Sequence, residues 1–349
     1  MTTRAVSIAG VRAGRSSRRA GSTRSRLVAV TTIAIWLTTT TFAQGLHWFL
    51  FNKAFILSHY ATDSAVGSVR ANVWHRAATI HTSSCGGKDA ELHVGSLAYE
   101  LEVPDNQKPV TEPEPFEDQA FGLTYELPNA AQGDGPDMLD TLAGTAVTFH
   151  GYWRVWNEGH DVGVVYPSNP HHVLELHPAW AFSAGSTTFD QPDLVARIPG
   201  FRGYSASQFR LVVNSMRDNT WPRVYQTERA IAVAMPQFHN FYQIPVIVRA
   251  VTTIADGHEL TLDVYSSTTY SNRIYQGLRG ITVSGSPIDG GLAVGNRRVL
   301  VGILSVNLRR ALSAVPTSAT SRTTAVQVAD AVEFFIFGRT SGAGLVTCS

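Results

Sequence analysis

Two glutamate–histidine pairs stand out in this chain of 349 residues: Glu91 with His93, and Glu175 with His177. One residue separates the members of each pair. In an extended strand alternate side chains share a face, so each pair presents a carboxylate beside an imidazole. If the two strands lie near each other and the loop carrying His160 closes over them, Glu91, His93, His160, Glu175 and His177 form a donor set suited to a divalent metal such as zinc. An open coordination position would then let a bound water act as the nucleophile of a metal-dependent hydrolase. The commoner role of a Glu beside a His is a hydrogen-bonded couple on the wet face of a half-buried strand. The spacing also misses the helical His-Glu-x-x-His zinc signature.

A second constellation is Tyr152, Trp153, Arg154 and Trp156. Aligned along a groove, these rings and the guanidinium would stack on sugars or on single-stranded nucleic acid. Tryptophan is normally well buried, so core packing is the competing role. The two cysteines, Cys85 and Cys348, are too few for a disulfide scaffold or a Cys-rich zinc site. A single bridge between them would fold the C-terminus back onto the middle of the chain. Gly285–Leu292 is Gly-rich but lacks the P-loop lysine, and reads as turns.

These side chains need strands to hold them. Alternation predicts short strands at Glu91–Val94 and Tyr99–Val103, a long one over Gly144–Trp156 and another over His172–Phe182. Strands joined by loops, with no helical pattern between them, suggest a small closed or sandwiched β-unit. From about Ile198 a second module begins, with a hairpin of Ile244–Ile254 and His258–Tyr265 turning at Asp256-Gly257. Further strands are expected at 280–283, 298–308 and 332–337, and a helix at 204–217. No repeat of 20 to 50 residues stands out. The expected organisation is a signal peptide or membrane anchor at 1–43, a helical or irregular lead-in at 44–84, a first β module at 85–197 with an acidic loop at 104–140, and a β-rich, sandwich-like module at 198–349.

Charge is distributed unevenly along this chain. The formal +1 conceals seven arginines and no acid in residues 1–26, ahead of an uncharged stretch at Leu27–Ala43. A basic region followed by an apolar core is the order of an export signal, and Thr41-Phe42-Ala43 offers a small-residue cleavage site. The alternative is an uncleaved segment holding the protein to the membrane through residues 27–50. Either places the body outside the cytoplasm, secreted or anchored. Thirteen acidic and two basic residues crowd Lys88–Asp140, whereas the chain from Asp190 onward holds 15 arginines and ten acids. The acidic run reads as a solvated loop, and the negative body disfavours wholesale nucleic-acid binding.

Lys88–Val94, Leu101–Pro104, Val147–Gly151, Glu158–His160 and the closing Glu175-Leu176-His177-Pro178 together resemble a group of exported bacterial proteins whose strands follow that order. The resemblance covers about 95 residues of the first module, and its closing tetrapeptide is the distinctive part. It implies an OB-like fold, a small five-stranded barrel, and implies no activity. OB barrels bind single strands and sugars through stacked aromatics, which keeps the Tyr152–Trp156 groove in view. The chain is therefore expected to be mainly β, an OB-like barrel followed by a second β-rich module behind an export helix. A binding or structural role outside the cytoplasm is the first expectation, a metal-dependent hydrolase the second, and nucleic-acid or glycan binding the third.

Overall fold

In a computed structural model the described residues are 47–60, 66–82, 88–97, 123–128, 142, 145–156, 174–192, 203–235 and 241–340. All of them belong to one compact unit, Leu46–Ser349. Its strands in chain order are β1 (His47–Asn52), β2 (Val66–Thr82), β3 (Lys88–Leu97), β4 (Leu123–Pro128), β5 (Ala146–Val155), β6 (Leu174–Ala184), β7 (Thr187–Asp190), β8 (Arg223–Gln226), β9 (Ala230–Met235), β10 (Phe241–Ile254), β11 (Gly257–Tyr265), β12 (Arg273–Val283), β13 (Arg297–Val306), β14 (Val326–Gln327) and β15 (Val332–Thr340). The helices are α1 (Lys53–His59), α2 (Ala206–Arg217) and α3 (Leu308–Ala314).

The later strands form a closed barrel in the order β10-β11-β12-β15-β13. Every neighbouring pair is antiparallel except β12 with β15. The earlier strands curl in the same way: β2 pairs with β3, β3 with β4, β4 in parallel with β6, β6 with β5, and β5 back with β2. Strand β7 adds to β6 on the outside. Counted within each module, both rings run first-second-third-fifth-fourth with the third and fifth strands parallel, the order of an OB barrel. The fold is mainly β, as the alternation indicated, and the second module is a closed barrel where a sandwich-like arrangement was expected.

The repetition extends to register. In the first ring Val155 faces Leu174 and Arg154 faces Glu175; in the second Val306 faces Val332 and Ser305 faces Glu333. Each fourth strand carries a glycine where its register against the fifth slips, Gly151 and Gly302. A Cβ on Gly302 would sit 2.1 Å from the Phe335 carbonyl oxygen, and one on Gly151 2.7 Å from that of Pro178. Only glycine lets the two backbones close to that distance.

A four-stranded sheet, β1-β9-β8-β14, accompanies the barrels. Its first strand and the whole of β2 come from residues 44–84, so the lead-in supplies a sheet edge and the opening strand of the first ring. Helix α1 follows β1 because Asn52 caps it, its Oδ1 accepting from Ala54 N at 2.7 Å. Tyr60 stacks on Trp153 at 5.1 Å and Phe55 meets the same indole edge-on at 5.6 Å, which fastens α1 to the first barrel. Helix α2 matches its expected span, burying Phe209, Val212, Val213 and Met216 at the three- and four-residue spacing of one helical face. Strand β4 lies inside the segment expected to be an acidic loop; its Leu123, Tyr125 and Leu127 do alternate, but the carboxylates around them hid the pattern.

The leader at 1–43, Glu158 and His160, Cys85, Cys348 and the rest of the 104–140 loop lie outside the described residues, and with them the export and disulfide expectations. Among the described residues no helix is long and apolar enough to cross a membrane.

Candidate functional site

The polar groups singled out by spacing meet mainly where the two barrels join. Strand β5 passes beside β13 without a ladder, held instead by side chains: Val155 N donates to Ser305 Oγ at 3.1 Å and Arg154 Nε to Leu304 O at 3.5 Å. Around this crossing Tyr152, Trp180, Phe241, Ile281, Ile303 and Phe335 form an apolar cluster, with the Tyr152 and Phe335 rings 4.4 Å apart.

Two carboxylates are buried at this junction, one from the closing strand of each ring. Glu175 Oε1 accepts from Arg154 Nη1 at 2.7 Å, and neither side chain reaches solvent. His177 Nδ1 lies 3.7 Å from Glu175 Oε2, with its ring 6.0 Å from that of Phe241. In the second barrel Glu333 accepts from Tyr152 Oη at 2.6 Å and from Asn307 Nδ2 at 3.3 Å, and it pairs with Arg279. Arg279 also reaches Glu259 at 2.7 Å, which in turn meets Arg310 at 3.2 Å.

Burial dominates the acid–base behaviour of this network. It pushes the Glu333 carboxyl above its ordinary value, although Arg279, Tyr152, Asn307 and Arg310 all favour the ionised form. Tyr152 is pushed well up, first by burial and then by the Glu333 charge. Glu259 is less enclosed, and there the hydrogen bond and charge of Arg279, helped by Arg310, outweigh burial and hold it low. Burial would lower Arg279, but Glu333 and Glu259 raise it.

This arrangement changes the reading of the sequence candidates. Glu175 and His177 do share one environment, but the Glu175 carboxylate is taken by a fixed guanidinium, a cation standing where a metal would need the oxygen. Strand β4 separates β3 from β6, so the Glu91–His93 strand is one strand removed from the Glu175–His177 strand. Of Glu91 and His93 only the backbone register is described, and His160 lies outside the described residues. Among the described residues no group of three His, Cys, Asp or Glu is placed to hold a metal. The stacking groove is corrected outright: Tyr152, Trp153, Arg154 and Trp156 are all buried, so core and interface packing takes them. Trp156 meets Trp221 edge-on at 6.3 Å, and Arg154 lies 5.6 Å over the Trp156 ring.

Two groupings in the second barrel were missed by spacing arguments. His258 Nδ1 lies 2.6 Å from Asp289 Oδ1, which also accepts from Thr282 Oγ1 at 2.7 Å. A row of arginines and tyrosines crosses β13, β10, β11 and β12 near Asp263. The adjacent Arg297-Arg298 was its only visible sign, because the other members come from separate strands. The Arg279–Glu333 pair likewise had one trace, the apolar-Glu-apolar run Val332-Glu333-Phe334 that repeats Leu174-Glu175-Leu176. Comparison with family models, with curated proteins and with solved structures returned no match.

Proposed function

We propose that this chain acts outside the cytoplasm as a binding protein, with two fused OB-order barrels as a rigid support for a solvent-facing site. The observation that carries the reading is how the charged groups are divided. Those with catalytic spacing, Glu175 and His177, are locked with Arg154 in the interior, where they tie the barrels together. Those that reach solvent in the second barrel include arginines grouped with tyrosines, a surface suited to holding a ligand. The extracytoplasmic placement is supported by the arginine-rich, acid-free residues 1–26 ahead of the uncharged Leu27–Ala43. The likeness to exported bacterial proteins in the first module supports the same address. Whether the leader is cut after Ala43 or kept as an anchor decides between a secreted and a membrane-held form.

The test fuses residues 1–60 to a β-lactamase stripped of its own signal. Drug resistance of the host is the expected result, and N-terminal sequencing of the exported fusion then reports cleavage or retention. A fusion that is made but confers no resistance overturns the placement.

A further inference from the structure

We propose that one end of the second barrel is a binding site for an acidic polysaccharide, held by Arg249, Arg273, Arg297 and Arg298 together with Tyr270, whose ring is braced by the buried Tyr265. This deepens the binding reading above and rests on it.

The site is built by four neighbouring strands. Arg249 comes from β10, Asp263 and Tyr265 from β11, Arg273 from β12, and Arg297 and Arg298 from β13. Irregularities of register lie at its centre: the β10–β11 pairing slips between Val248 and Ala250, and the β11–β12 pairing slips on both sides of Val264. A bulge re-aims the side chain it carries, and here the slips bring Arg249 and Asp263 together. Arg249 Nε donates to Asp263 Oδ2 at 2.8 Å, Arg273 Nη1 donates to the same oxygen at 3.0 Å, and Arg249 Nη2 reaches Tyr265 Oη at 3.2 Å. The Tyr265 and Tyr270 rings meet edge-on at 5.6 Å, and the Arg297 guanidinium lies 5.5 Å over the Tyr270 ring. Arg298 follows Arg297 on β13, opposite Val246 of β10; burial raises the Tyr270 hydroxyl above its ordinary value, and the charges of Arg297 and Arg298 oppose that rise.

Charge decides what such a surface can take. Arg249 and Arg273 share a single carboxylate, Asp263, whose side chain is only 3% exposed while theirs are 46% and 45% exposed, and Arg297 and Arg298 stand on the neighbouring strand β13. One carboxylate shared by two guanidinium groups, with two more arginines on the adjoining strand, leaves a local surplus of positive charge that favours an anion. Arginine's planar fork suits carboxylate, phosphate and sulfate oxygens. Tyr270 sits in the left-handed region at φ 54°, a conformation that a bulky aromatic rarely adopts. It is held there by its N–H to Ser267 O at 3.1 Å, beside a chain of hydroxyls linking Ser267, Thr269 and Ser271. Cations for an acid group, an aromatic platform for a sugar ring and a hydroxyl-lined rim for ring hydroxyls together match a saccharide that carries anionic groups. A nucleic acid would call for several stacking platforms in series, and this end offers one partly exposed ring.

The experiment titrates the full chain with fluorescently labelled oligogalacturonate, hyaluronate and dextran sulfate, with neutral dextran, an oligothymidylate and phosphatidylglycerol vesicles as the contrasting probes. Binding to at least one acidic glycan is expected, weakening as salt is raised. Arg297→Ser and Arg249→Ser should each reduce that affinity about tenfold or more, the loss of one charge-assisted hydrogen bond. Tyr270→Ala should weaken it while leaving the urea unfolding midpoint in place. No binding to any of the three glycans overturns the proposal, as does binding unchanged in both arginine variants, or tighter binding to the oligothymidylate or the vesicles. The export assay separates the two readings. Resistance without glycan binding removes this site alone, whereas glycan binding without resistance upholds the site and removes the extracytoplasmic placement.

Discussion

Replacing Arg279 with methionine isolates the buried charge that joins the barrels. In the native protein Glu333 is enclosed and pairs with the Arg279 guanidinium, with Tyr152 and Asn307 as neutral donors. Methionine keeps much of the side-chain volume and removes the charge. Leaving one member of a buried pair behind costs about 3–5 kcal/mol. The second contact of Arg279, with Glu259, adds little: the Glu259 side chain is 28% exposed and keeps Arg310, so about 0–1 kcal/mol is the expected share. The loss should depend on pH with a definite sign. The folded Glu333 carboxyl already titrates above its unfolded value, and removing Arg279 raises it further. A raised acid binds its proton more tightly when folded, so its contribution to stability is complete below the unfolded carboxyl value and is lost as pH rises through the folded one. Stability falls as pH rises inside that window, so acidifying by two units should recover part of the Arg279→Met penalty. Urea unfolding followed by tryptophan fluorescence at neutral pH and two units lower measures both quantities. Adding Glu333→Gln should restore most of the neutral-pH loss, because no buried charge remains. A penalty below about 1 kcal/mol at neutral pH, or one equal at both pH values, would refute the reasoning.

Three further outcomes follow from the same structure. Gly302→Ala should destabilise by about 1–3 kcal/mol or prevent folding, since its Cβ falls 2.1 Å from the Phe335 carbonyl oxygen; an unchanged urea midpoint would contradict the close strand approach. Trp153→Ala should cost about 3–5 kcal/mol, because its indole packs between Tyr60 and Phe55. A loss within about 0.5 kcal/mol would be the behaviour of a surface ring and would revive the groove. Chelation with EDTA should leave the thermal midpoint of the purified protein unchanged, because Arg154 holds the Glu175 carboxylate. A downward shift of several degrees, reversed by zinc, would show that a metal site contributes to stability.

The elements differ in how plainly the sequence announces them, and the difference has a local cause. Asp256-Gly257 between two alternating runs is a hairpin signal confined to neighbouring residues, and β10–β11 form as expected. Helix α2 is similarly local, with its buried residues at helical spacing. Strand β2 gives a weak local signal because its alternation, Val69, Ala71 and Val73, uses small residues and follows the bulkier Trp48–Leu57 cluster. Strand β4 was masked by acidic flanks. The repeated ring was hidden because its two copies share a register of strand pairs and a few positions, such as Gly151 with Gly302 and Glu175 with Glu333, rather than a continuous motif.

At the candidate site the sequence by itself determined which side chains exist and which neighbours along a strand share a face: Glu175 and His177 are companions because their spacing says so. What it left undecided was the direction in which each face looks. Alternation is satisfied equally by a strand facing water and by one facing a second barrel, so the same Glu-Leu-His run reads as a wet ligand pair or as a buried one. Only tertiary structure chose, because the partners that bury these residues are remote: Leu304 and Ser305 lie against Arg154 and Val155, and Tyr152 reaches Glu333 across 181 positions of chain. Closure of a barrel through a parallel third and fifth strand, and the docking of one ring on another, are hydrogen-bonding and packing events between distant segments. For the same reason the arginines of β10, β12 and β13, scattered through a chain whose formal charge is +1, become one surface only when the strands come together.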